Sequence, residues 1–118
     1  MNSREFVAAL KIVACDKAAM GVLENLRNPP GRRPDIALVN LSNWFKTLPT
    51  EDKAALEQIM NLATKQAVYN VLLVIDGLLT VSPLGNPVDF ELSVIDGGKR
   101  EVLNDCVKEP LTHLFKEK

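Results

Sequence analysis

The run TEDKAALEQIMNLATKQAVYNVLLVIDG, Thr50–Gly77, decides the fold. Thr50 is an N-cap residue type, and Glu51 and Asp52 place negative charge where the first-turn amides of a helix favour it. Leu56, Ile59, Met60, Ala63, Ala67, Val71 and Val74 then recur at helical spacing. They predict the buried face of a long helix from about Glu51 to about Ile75. Lys53, Glu57, Asn61, Lys65 and Gln66 give the first half a polar back, whereas the second half is apolar nearly all round. That change predicts deeper burial toward the C-terminal end. A buried strand competes for Val71–Ile75, but no turn signal separates that run from Ala67, so the helix is favoured. Gly77 is the residue type that closes a helix in the left-handed conformation.

On the N-terminal side, Asn2 and Glu5 have capping-box spacing. Phe6, Leu10, Val13, Cys15, Met20, Leu23 and Leu26 follow at helical intervals, predicting a helix from about Ser3 to Leu26 with an irregularity near Gly21. Pro29, Pro30 and Pro34 remove amide donors, so residues 27–34 form a surface loop. Asp35 can cap a shorter helix that carries Leu41, Trp44, Phe45 and Leu48 and ends before Pro49.

Beyond Gly77 the period changes from helical to two. Pro83, Gly85 and Pro87 mark a connection, and Val88–Val94 alternates apolar with polar. Asp96-Gly97-Gly98-Lys99 is a turn, and Arg100–Asn104 returns as a strand. Centring the turn on Asp96-Gly97 or on Gly97-Gly98 puts Leu103 on the same face as Phe90, Leu92 and Val94. A short helix from about Glu109 to Glu117, with Pro110 near its start, closes the chain. The expected fold is therefore α+β: a mainly helical single domain with a long central helix, a β-hairpin and a short C-terminal helix.

Composition narrows the class. The chain has 118 residues, of which 47% are hydrophobic and 25% charged, enough apolar surface for one folded domain. Residues 1–34 carry six bases against three acids, and residues 76–105 carry two bases against six acids. With a net charge of -1, broad nucleic-acid binding is not expected. A charge-complementary protein partner, including a second copy of this chain, is expected instead. No apolar run approaches the length of a membrane span, and acidic residues interrupt the N-terminal apolar run, so the expectation is a cytoplasmic protein. Cys15 and Cys106 read as buried or half-buried thiols rather than a disulfide or redox pair.

Asp76 is the acid that invites a function. It follows five apolar residues at the end of the long helix, where a carboxylate opposes the helix dipole and needs a compensating partner. That partner is expected among amides of the following turn, with a partner- or ligand-binding role as the alternative. Asp89 and Asp105 extend the acidic set in the hairpin region. Arg32 and Arg33, with Arg27, form the only basic concentration, and Trp44 and Phe45 are expected core aromatics that become contact residues where exposed. His113 lacks a local nucleophile or paired acid, no dense calcium-loop spacing occurs, and no cofactor, metal or catalytic residue is implied.

Val74-Ile75-Asp76-Gly77, Phe90-Glu91-Leu92 and Leu103-Asn104-Asp105 together resemble short motifs of small bacterial proteins, some of them immunity-like or accessory. The resemblance covers roughly residues 50–115 and implies a bacterial cytoplasmic protein without an activity to transfer. The expected function is thus a non-enzymatic protein-interaction module, possessing a partner or self-association surface. The alternative is a small ligand-binding protein or enzyme with a helix–hairpin cleft around Asp76.

Overall fold

Capping, turn and packing signals can be followed residue by residue in the computed structural model, which describes residues 1–81, 88–105 and 109–117. The elements are α1 (Ser3–Leu10), a π-helical turn (Lys11–Asp16), α2 (Lys17–Arg27), α3 (Ile36–Thr47), α4 (Thr50–Ile75), β1 (Ser93–Asp96), β2 (Lys99–Val102) and α5 (Leu111–Lys116). The fold is α+β and mainly helical, with the long helix, hairpin and C-terminal helix in the expected order. Two compact units emerge: Met1–Ile12 with Gln66–Lys118, and Val13–Lys65. The proline and glycine signals at Pro83, Gly85 and Pro87, and Cys106, lie outside the described residues.

The first unit is held by Val7 of α1, Leu72 of α4, Leu103 after β2, and Leu111 and Leu114 of α5. Asn2 opens α1 with a full capping box: its side chain accepts the Glu5 amide at 2.8 Å, and the Glu5 carboxylate accepts the Asn2 amide. α4 ends in a Schellman motif. Gly77 has φ +78°, its amide donates to Val74 C=O at 3.1 Å, and the Leu78 amide donates to Leu73 C=O at 2.8 Å. A non-glycine side chain at Gly77 would meet no neighbour, so the demand for glycine there comes from the backbone conformation alone.

The hairpin turns on Gly97 and Gly98, both at positive φ, and pairs Ser93 with Val102 and Asp96 with Lys99. This is the second of the two registers the sequence allows, and it puts Leu92, Val94 and Leu103 against the core. Phe90 departs from the expectation: it is exposed, because regular pairing starts only at Ser93. Ahead of β1 a side chain extends the pairing. Asn104 accepts the Leu92 amide at 2.8 Å and donates to the carbonyls of Ile75 at 2.9 Å and Phe90 at 2.6 Å. One side chain therefore joins the end of α4, whose carbonyls lack helical partners, to the base of the hairpin. Asn104→Ala is expected to cost about 1–3 kcal/mol in urea unfolding, since two partly buried backbone groups and the exposed Phe90 carbonyl lose their partner.

In the second unit α2 packs on α3, and Leu23, Leu26 and Phe45 form the core, bordered by Leu38, Leu48, Leu56 and Met60. Asp35 caps α3 by accepting the Ala37 amide at 2.9 Å. Ser42 is buried because its hydroxyl donates to the Leu26 carbonyl at 2.5 Å, satisfying the C-terminal end of α2. The helical irregularity falls at Lys11–Asp16 and not at Gly21, which lies inside α2. Ile12 and Val13, both β-branched, lower helix propensity in that turn, whereas Gly21 keeps a negative φ and a side chain there would meet nothing.

Two expectations for α4 need correction. Thr50 is the first helical residue rather than the cap, and the Pro49 carbonyl accepts the first helical bond, from Lys53 at 3.0 Å. The inward stripe is also rotated from the expected one. Lys53, Leu56, Met60, Thr64, Val68, Leu72 and Ile75 are buried or half-buried, while Ile59, Ala63, Ala67 and Val71 are exposed. Several hydrophobic rows run along α4, and packing selects one of them. The deepest residue, Leu72, does lie in the C-terminal part as the change in polarity predicts.

Candidate interaction surface

Asp76 faces the start of α5. Its Oδ2 accepts both the Thr112 amide and the Thr112 hydroxyl, each at 3.0 Å. Pro110 at the N-cap position of α5 makes no side-chain cap, so a carboxylate from the end of one helix caps the start of another. The amide end of α5 and the buried Thr112 hydroxyl supply the compensation that an acid at a helix C-terminus requires. The donors belong to α5 rather than to the turn that follows Asp76.

The other acids are placed differently. Asp89 is exposed and lines a hollow of about 230 Å³ with Gly77, Leu79, Thr80, Val81, Val88 and Phe90. Asp76, His113 and arginine are not among the described residues that line it. Asp105 is half-buried beside Asn104. Among the described residues no group of three or more His, Cys, Asp or Glu could hold a metal ion, and no helix is long and apolar enough to cross a membrane. His113 is exposed on α5, Arg32 and Arg33 are exposed before α3, and Cys15 is buried.

A second polar cluster surrounds Arg4, which pairs with Glu117 at 2.5 Å and Glu109 at 3.2 Å. The Glu117 hydrogen bond, and then its charge, hold the guanidinium pKa above its ordinary value. A raised folded-state pKa gives stability that is fully present below the ordinary arginine value and lost only in strongly alkaline solution. Arg4→Met and the parent are therefore expected to give parallel stability curves from neutral to mildly alkaline pH, measured by thermal melting. The hollow beside Arg4, about 280 Å³ and lined also by Asn2, Ser3, Glu101 and Leu114, has its central cation already paired.

What the molecule does present is apolar surface. Phe45 is buried at 3% exposure, but Trp44 is 52% exposed and shares the outer side of α3 with exposed Leu41. The expectation of a core tryptophan is corrected: Leu38, Ser42 and Phe45 occupy the inward positions of α3, which turns Trp44 outward. On α4, Ile59 is 59% and Leu62 68% exposed, with Ala55 also exposed four residues before Ile59.

Comparison with family models, curated proteins and solved structures finds no match to this chain.

Ile59 and Leu62 were the functional candidates that sequence reading assigned elsewhere, Ile59 to the core and Leu62 to no face. A signal for them exists: Ala55, Ile59 and Leu62 follow the alternating four- and three-residue spacing of a helix-pairing seam. It is masked by the parallel apolar row through Leu56 and Met60.

Proposed function

We propose that this protein is a non-enzymatic protein-interaction module that works by burying exposed apolar helix faces against another chain. One observation carries the reading. Large apolar side chains stand outward on two helices: Trp44 is 52% and Leu41 54% exposed on α3, and Ile59 is 59% and Leu62 68% exposed on α4. Aromatic and aliphatic side chains of this kind form the buried core of a protein interface. The engagement of Asp76 by Thr112 supports the same reading over a cleft enzyme, since that carboxylate already has its donors.

The test is mass measurement of the intact complex after gentle capture of the tagged full chain from its native cell. The reading expects one defined stoichiometry, whether with a second copy or with a dedicated partner, as an accessory or immunity-like protein would show. A chain recovered only as a monomer of 13.0 kDa, and monomeric at every concentration when purified, would contradict it.

A further inference from the structure

Resting on that reading, we propose that the partner is a second copy of this chain, and that two copies pair antiparallel through the Glu51–Lys65 half of α4. The placement of its exposed residues carries the inference. Ala55, Ile59 and Leu62 form an outward apolar seam on the side away from Lys53, Leu56 and Met60. Gln58 runs beside that seam and is exposed, as are Glu51 and Lys65. Glu51 lies two helical turns before Gln58 and Lys65 two turns after it, so all three share one edge.

Charge decides the direction of pairing. When a two-fold axis passes between the Gln58 side chains of two antiparallel helices, Glu51 of each copy falls opposite Lys65 of the other. The same axis sets Leu62 within one residue of the level of Ala55 of the second copy at each end of the seam and brings the two Ile59 side chains near the centre. In a parallel pair the edge that carries Glu51 and Lys65 would face the opposite edge of the other copy, so these two charges would not meet. Within one chain the two charges lie about 20 Å apart along the helix, at 1.5 Å per residue, and cannot pair with each other.

Sedimentation equilibrium of the full chain and four variants tests the proposal, with circular dichroism melting to confirm that each variant folds. Leu62→Glu is expected to weaken the dimer roughly a hundredfold, because the change is made on both sides of the axis at an apolar contact. Glu51→Lys and Lys65→Glu are each expected to weaken it about tenfold, and Glu51→Lys with Lys65→Glu together to restore it. Restoration by the double exchange requires the antiparallel pairing and has no route within one chain. A dimer that all four variants leave unchanged would overturn the α4 seam while leaving the interaction reading intact. A wild-type chain that stays monomeric but forms a stoichiometric complex with a different protein would overturn the second copy as occupant. A chain that does neither would overturn the interaction reading itself.

Discussion

Leu103→Ala is expected to lower the unfolding free energy by about 3–5 kcal/mol. Leu103 is 0% exposed and packs among Val7, Leu72, Leu111 and Leu114, side chains that arrive from three helices. Its backbone is engaged independently: the amide donates to Leu92 C=O at 2.8 Å and the carbonyl accepts the Ser3 hydroxyl at 2.7 Å. Alanine keeps both bonds, so the loss is that of transfer and cavity terms alone. Urea titration should show a lower midpoint with an unchanged slope. Phe90→Ala is the matched control: Phe90 is larger but exposed, and its truncation should cost under about 1 kcal/mol. Domains of this size are stable by only about 5–15 kcal/mol, so Leu103→Ala alone takes a large share of the margin.

Asp76→Ala is expected to cost about 2–3 kcal/mol, because it strands two donors of Thr112 at once, in a residue only 2% exposed. Asp76→Asn keeps one oxygen acceptor and should lose less. Adding Thr112→Val to Asp76→Ala removes the stranded hydroxyl, so the double variant should be less damaged than the sum of the single losses. The sign of the effect separates two roles. A carboxylate held unpaired for a ligand is a strained feature whose removal commonly raises stability, whereas a cap lowers it when lost. Thermal melting of the four proteins in this cycle distinguishes these outcomes.

Local signals were the legible ones. Asn2 with Glu5, Asp35, Gly77 and Gly97-Gly98 act through backbone groups within a few residues, and each appears where the chain predicts it. The choice among apolar rows on α4 was not legible, since Leu56–Met60 and Ile59–Ala63 have similar spacing and hydrophobicity. Only the packing of Leu56 and Met60 against the α2–α3 core separates them. Trp44 and Phe45 are likewise adjacent aromatics, and burial of one necessarily turns the other away. The bonds from Asp76 to Thr112 and from Asn104 to Ile75 join residues 36 and 29 positions apart, so no local pattern announces them. The need for a partner at Asp76 was readable from its position; the identity of the partner belongs to tertiary structure.

In the working protein the outer side of the N-terminal half of α4 is expected to be covered. That half contributes no fully buried residue, so amides there should exchange through shallow local opening that a partner suppresses. Hydrogen exchange of the wild-type chain at low and high concentration reads this directly. Protection that rises with concentration across Glu51–Lys65, while Ser93–Val102 of the hairpin stays unchanged, is the predicted result. Exchange in Glu51–Lys65 that is independent of concentration, in a chain that remains monomeric and binds no partner, would contradict it.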